Sequence, residues 1–336
     1  MMAEEQVAVD QDGCVRIAAI DLGTVSSRLS LARMRDGAIV DSRKHSIITD
    51  MGKDVDATNR FRADAIDRVE DACRTFVDEA RAFGASATCV TLTSAARDAQ
   101  NAEELLGRLR GLGLIPQVIP GEVEARLTFY GVAHDFPGER IAVADPGGGS
   151  TEIAVGTYDA QASELHLEHV QSLNIGCRRL TDRFFTADPP APAEIEAAAA
   201  WSNEQFSAYW DASPDRPKRF ISVGGTVTTL VSLTYELEPY DSSFVHLHTL
   251  KADEVDRQLK RMSTLTVDEI RGLKGIQPKR APMMLAGSII IRELMRSGGY
   301  SELTVSESSL LAGVAATIDE TLSGKTPVVG WTPRLS

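Results

Sequence analysis

Long apolar runs are missing from this 336-residue chain: none approaches the ~20 residues that a membrane-crossing helix needs. The opening stretch MMAEEQVAVDQDG is acidic and lacks the apolar core of a secretory signal. Cysteine is scarce as well. Cys14, Cys73, Cys89 and Cys177 stand far apart, with neither metal-ligand spacing nor a dense disulfide pattern. Reduced thiols and a cytoplasmic location are therefore expected. Positive charge is in deficit, with 35 Lys and Arg against 48 Asp and Glu and a formal net charge of −13. That balance argues against a nucleic-acid binder or a protein of anionic membranes, whose surfaces are basic. It leaves room for a phosphorylated substrate, because a metal ion and a few local cations can reverse the field inside a cleft.

What is present is ordinary globular composition, 43% apolar and 25% charged, in a chain too long for one compact core. An internal echo divides it. IAAIDLGTVSSRLSLA begins at Ile17 and IAVADPGGGSTEIAVG at Ile141. Without gaps, Ile17, Ala18, Asp21, Gly23 and Ser26 align with Ile141, Ala142, Asp145, Gly147 and Ser150. Each copy reads as strand, Asp-x-Gly loop, strand. A repeat more than a hundred residues apart predicts two similarly folded domains rather than a solenoid. We place them at 1–137 and 138–322, with a junction near Phe136–Arg140 and a tail at 323–336.

Between the copies, strand and helix signals alternate. Ile66, Val69, Cys73, Phe76 and Val77 fall at helical spacing, and ATCVTLTSAARDAQN and IPQVIPGEVEARLTFYGV each read as a strand running into a helix. RPKRFISVGGTVTTLVSL repeats that pattern, and 281–297 forms a further apolar helix. The alternation predicts an α/β layer architecture.

An acid at a strand end, followed at once by a glycine turn, can hold a hydrated Mg²⁺ that also touches a phosphate. Asp21 and Asp145 both stand so. Gly23, Gly147, Gly148 and Gly149 would let a phosphate approach the main chain, and Ser26, Ser150 and Thr151 could donate hydroxyl hydrogen bonds. The bland alternative is a surface hairpin with a turn-forming Asp. Two matching loops favour a bilobed phosphate clamp.

The strings AAIDLGTVSSRLSLA, TLTSAARDAQN, IPGEVEARLTFYGV, VADPGGGSTEIAVG, LNIGCRRL and SVGGTVTTLVSL occur in that order over roughly residues 15–315. In this the chain resembles the exopolyphosphatase/guanosine pentaphosphate phosphatase family of the actin-like ATPase superfamily. The resemblance implies two actin-like (ribonuclease H-like) α/β domains with an active-site cleft between them, and Mg²⁺-dependent hydrolysis of a terminal phosphoanhydride. It implies phosphate contacts from Gly23, Thr24, Ser26 and Arg28 in the first loop and from residues 147–151 in the second. It assigns metal binding to Asp21, Asp145 and Glu152, although Glu152 could equally be a polar strand residue. The family's catalytic glutamate lies in a G-x-E-E-A segment, here GEVEA, and matches Glu124 by position. Val123, Leu127 and Tyr130 share one helical face, which puts Glu124 off that stripe in the first turn. Its other reading is a helix-start glutamate favoured by the macrodipole, worth ~0.3–1 kcal/mol. Arg97 is the candidate phosphate-contacting cation, or else a surface arginine paired with Asp98 or another acid. Gly224, Gly225 and Thr226 match a nucleotide-approaching turn of related folds, or simply turn strand into helix.

Departures from the family pattern fall at Val25, Ser27, Val123, Pro282, Ser309, Leu311 and Ala312. The expected substrate is inorganic polyphosphate, in short or medium chains because the chain resembles the short family members and carries net negative charge. Guanosine pentaphosphate is the alternative, and a homodimer is compatible with the resemblance. RPKR at 216–219 with Lys274, Lys279 and Arg280 forms either a basic track or a solvated loop surface. Two rival classes remain: a kinase or ATPase on the same scaffold, and a non-catalytic phosphate or alarmone sensor.

Overall fold

The structure is a computed structural model that describes residues 9–213 and 215–336. Residues 1–8 of the acidic opening lie outside the described residues. The first lobe is a five-stranded sheet of β1 (Val15–Leu22), β2 (Ser26–Arg35), β3 (Ala38–Ile48), β4 (Ala87–Leu92) and β5 (Pro116–Val118). The second contains β6 (Ile141–Pro146), β7 (Thr151–Asp159), β8 (Glu164–Leu173), β9 (Arg219–Ser222), β10 (His248–Lys251) and β11 (Glu302–Val305). The strand orders are β3-β2-β1-β4-β5 and β10-β11-β9-β6-β7-β8.

Apart from β10, the second order repeats the first strand for strand. In each lobe three antiparallel strands meander and two parallel strands extend the sheet beside the first. The two halves are built alike, as the echo predicts, and the arrangement is the actin-like, ribonuclease H-like α/β fold that the resemblance implies. The central strands explain the apolar runs: β6 is buried throughout and β1 from Ile17 onward, as strands covered on both faces must be. The echo extends to register. Asp21 lies opposite Arg28 across β1–β2, and Asp145 lies opposite Glu152 across β6–β7. Arg28 and Glu152 thus occupy one station of the repeated hairpin with opposite charges.

The helix Ala63–Phe83 buries Ile66, Val69, Cys73 and Phe76 with Ala18, Ile20, Leu29 and Leu31 of the first sheet. Two other helices cross between lobes. Gly121–Ala133 packs on β7 and β8, whereas Leu310–Leu322 packs on β1 and β2, and the pair pack on each other. Their backbones nearly touch. A Cβ on Gly313 would stand 1.9 Å from the Leu127 carbonyl oxygen, and one on Gly131 would stand 2.3 Å from that of Ser309. One apolar cluster consequently contains Ile17, Leu127, Phe129, Ile141 and Val314, from both lobes. The last residues return to the first lobe: Leu335 bridges Cys89, and Thr88 and Ser336 exchange backbone hydrogen bonds of 2.8 and 2.9 Å. No helix of the described residues is long and apolar enough to cross a membrane.

Candidate active site

Both hairpin loops close with the same bond. The Gly23 N–H donates to Ser26 O at 3.0 Å, and the Gly147 N–H to Ser150 O at 2.9 Å. The second loop is then held from behind. Gly147 O accepts from Cys177 N–H at 3.0 Å, and Gly148 O from Arg178 and Arg179 N–H at 2.8 and 3.1 Å. Gly149 O accepts from Arg179 Nε at 2.8 Å. A trans peptide points its N–H away from its C=O. These ties therefore turn the Gly148 and Gly149 N–H groups away from the 177–179 segment, on the side where the loop lines the cleft. Gly176 permits the approach, since a Cβ there would stand 2.4 Å from the Gly148 carbonyl oxygen.

Asp21, Glu124, Asp145 and Glu152 converge on a cavity of about 50 Å³, room for a few waters or one phosphoryl group. All four are buried. Burial lifts the Asp21 carboxyl to about 6, with Asp145 adding to the rise and Arg28 opposing it. Burial also raises Asp145 against the pull of Arg28. It holds Glu152 up to about 7, although hydrogen bonds from Ser172 and Ser150 favour its charged form. Asp21 Oδ1 is buried without a hydrogen-bond partner among the described residues. Two hard carboxylates at the cleft, one with an orphaned oxygen, fit a hydrated Mg²⁺. No group of three His, Cys, Asp or Glu positioned for a metal occurs among the described residues, so water and substrate oxygens would complete such a shell.

Glu124 is the base candidate with the most built surroundings. Its Oε2 accepts from Arg97 Nη1 at 2.8 Å, and that nitrogen also donates to Ile119 O at 3.0 Å. Arg97 Nη2 reaches Ser150 Oγ at 3.3 Å and stands 3.7 Å from Glu152 Oε1. Ser172 Oγ donates to the same Glu152 oxygen at 2.7 Å. Burial, then Glu152, raise the Glu124 carboxyl well above its ordinary value, while Arg97 lowers it. This helix does not have the single buried stripe that its periodicity predicts. Glu124 is buried and Val123 is only partly so, because lobes and helices enclose residues 124–133 on several sides.

Beyond the cleft two arginines meet. Arg28 and Arg280 both line it, and neither makes an ion pair among the described residues. Arg280 Nε donates to Gln277 Oε1 at 3.0 Å, and Nη2 reaches Ser26 Oγ at 3.4 Å. Burial and the Arg28 charge pull its guanidinium down to about 10. Two half-buried cations, neither tied up in an ion pair within 4 Å among the described residues, form a site for an anion. Both also line an adjoining groove of about 970 Å³, with Leu237, Tyr240, Leu273 and Ile276 on its walls.

The family model for the Ppx/GppA phosphatases matches residues 30–320. The chain belongs to this family. Exopolyphosphatase 2 of Mycobacterium tuberculosis is 31% identical over 320 residues, covering 90% of this chain and 98% of that protein. A solved exopolyphosphatase-like protein superposes with a TM-score of 0.83 at 31% identity, covering 92% of this chain and all of that one. The Aquifex aeolicus Ppx/GppA family member gives 0.74 at 30% identity, covering 93% and 99%. The chain is thus an enzyme, a phosphoanhydride hydrolase of the exopolyphosphatase type.

Within this Ppx/GppA protein the fold gathers Asp21, Gly23, Thr24, Ser26, Arg28, Glu124, Asp145, Gly147, Gly148, Gly149, Ser150, Glu152, Gly225 and Thr226 around the cleft. Arg97 joins them through Glu124. Thr151 does not: its hydroxyl donates to Ile175 O at 2.6 Å, as a strand tie. Gly224 backs the site, for a Cβ there would stand 2.7 Å from Asp145 Oδ1. Asp98, offered as a partner for Arg97, instead pairs with Arg179 at 2.5 Å. Of the basic residues, 216–219 lie at the start of β9, whereas the cleft adjoins its other end. Lys274 and Arg280 line the groove. Two further hydroxyls join the site, Ser172 through Glu152 and Ser94 from within the motif TSAARDA. The buried Ser94 hydroxyl has no hydrogen-bond partner among the described residues and faces Gly149.

The departures have local accounts. Val25 packs at the second loop, where a Cβ on Gly148 would meet it at 2.6 Å. Ser27 Oγ shares a buried hydrogen bond of 3.0 Å with Thr49 Oγ1. Pro282 falls in the first turn of Ala281–Gly298, where its missing N–H costs little. Ser309 and Leu311 line the groove, so these two departures touch its shape.

Proposed function

We propose that this protein releases orthophosphate from the end of short inorganic polyphosphates. The observation that carries this reading is Glu124, held by Arg97 at a cavity of phosphoryl size between two glycine loops. The terminal phosphoryl group would sit against the Gly148 and Gly149 N–H groups. Glu124 would accept a proton from water as that water attacks phosphorus in line with the leaving phosphate. Arg97 holds the carboxylate in place and resists its protonation. Asp21 and Asp145, with Glu152 behind them, would hold Mg²⁺, which when bound supplies positive charge to the phosphate oxygens. Without such a cation, four carboxylates facing three arginines would repel a polyanion.

Arg28 and Arg280 would take the next phosphates, and their number argues for short chains. Lys44, Arg271 and Lys274 along the groove already stand within 4 Å of Glu307, Asp268 and Glu236. Little uncompensated charge remains there for a long polymer. The same groove supports a second reading, guanosine pentaphosphate, because Leu237, Tyr240, Leu273 and Ile276 offer apolar surface for a base. Initial rates of phosphate release from tripolyphosphate, long polyphosphate and guanosine pentaphosphate, at matched Mg²⁺ and ionic strength, decide between them. The highest kcat/KM should belong to the short polyphosphate. A nucleotide preference would replace this reading with the second, and absence of phosphate release from all three would favour a sensor.

A further inference from the structure

The cleft is nearly shut in this structure, and beside the apolar contact of Val25 a row of ion pairs holds it. The helix Cys177–Phe184 begins with the segment that anchors the second phosphate loop and faces the first lobe with three arginines. Arg178 stands 3.5 Å from Asp50, and Arg183 stands 3.1 Å from Asp56. Asp54 N–H reaches back to Asp182 Oδ2 at 3.3 Å. Arg179, mostly buried between the lobes, does more than pair. Its Nη1 donates to Asp56, and Nη2 donates to Asp98 at 2.5 Å. Nε donates in the opposite direction, to Gly149 O at 2.8 Å.

We propose that Arg179 is a positioning residue that makes closure of the lobes and the setting of the glycine loop one event; this rests on the hydrolase reading above. The planar guanidinium is a rigid fork, so the direction of Nε is fixed by where Nη1 and Nη2 are held. Those two nitrogens are held by first-lobe carboxylates. Nε in turn fixes the Gly149–Ser150 peptide plane, and with it the direction of the Ser150 N–H. When the lobes part, both carboxylates leave and the fork loses its orientation. Asp98 strengthens the link, because the five-residue helix Ser94–Asp98 also presents Arg97 to Glu124 and Ser94 to Gly149. One short element of the first lobe therefore positions the base and, through Arg179, the loop that receives the phosphate. Substrate must enter while the lobes are apart, when the Gly149–Ser150 peptide is free to turn although backbone bonds still hold Gly147 and Gly148, and is aligned as they close.

Two variants separate this role from simple stability. Arg179→Lys keeps a charge but cannot serve three acceptors with a fork, so kcat should fall ~10–100-fold. Asp98→Asn weakens closure and leaves the Nε–Gly149 bond possible. KM should then rise ~3–10-fold with kcat within about twofold, because fewer molecules are in the closed state. The assay is phosphate release from tripolyphosphate with Mg²⁺. Small-angle scattering of the same proteins, which needs no activity, should show a larger radius of gyration for both variants. Wild-type kinetics per folded molecule, an unchanged radius and only a lowered Tm would reduce Arg179 to a structural ion pair and overturn the proposal. A wild-type protein that releases no phosphate would instead overturn the hydrolase reading. Should Arg179→Lys fail to fold, Asp98→Asn and Asp56→Asn decide by the same KM and radius criteria.

Discussion

Glu124→Gln is the substitution in which activity and stability should move apart. The amide keeps the size of the side chain and an oxygen for Arg97 Nη1, now 2.8 Å from Glu124 Oε2. It removes the proton acceptor. Loss of a positioned general base costs ~10²–10⁴ in kcat, or ~3–5 kcal/mol of transition-state free energy, with KM much less affected. Stability should respond in the opposite sense. Glu124 is buried beside Glu152, which opposes its ionisation. Arg97 also stands 3.7 Å from Glu152, so its charge keeps a carboxylate partner in the variant. Removing one of two like buried charges gains ~1.4 kcal/mol for each pKa unit of repulsion relieved. At pH 8 without added metal, the variant should melt at or above the wild-type temperature. The paired measurement is kcat for tripolyphosphate and Tm on one protein preparation. Turnover within threefold of wild type, with a lowered Tm, would mean that Glu124 is a helix-start residue and nothing more.

Asp145→Asn should raise the Mg²⁺ needed for half-maximal rate at least ~10-fold, since an amide is a poorer partner for a hard cation; an unchanged Mg²⁺ titration would remove Asp145 from metal binding. Burial holds Asp21 at about 6 and Glu152 at about 7, above the ~4 of unfolded carboxyls. The native state therefore binds more protons between those values, and metal-free protein should lose stability as pH rises from about 5 to 8. Mg²⁺ should flatten that decline, and a Tm that climbs across the window would contradict the carboxylate cluster. Gly148→Val would place its Cβ about 2.6 Å from Val25 Cγ2 and 2.9 Å from Thr24 Cβ. It should prop the loops apart and abolish most activity while circular dichroism stays native, so a fully active variant would show that the loops need not meet.

The two halves, their hairpins and the acids at the hairpin ends are legible in the residues alone, because these are local matters. An apolar run, an Asp and a glycine turn dictate strand and loop within a dozen residues, and a repeat of that pattern dictates it twice. Even the opposed Asp21–Arg28 and Asp145–Glu152 stations follow once the hairpin register is known. Tertiary structure alone decided what each charge meets. Periodicity assumes that a helix has one buried face, and so it misplaced Glu124 on a helix that both lobes enclose. Adjacency in sequence suggested Asp98 for Arg97, but neighbours in a short helix point different ways: Arg97 meets Glu124, and Asp98 meets Arg179 across the cleft. Arg28 and Arg280 lie 252 residues apart in a chain of net charge −13. Nothing local brings the two together at one cleft. Charge acts through space over a few ångströms, and only closure of the two lobes sets which side chains come within that range.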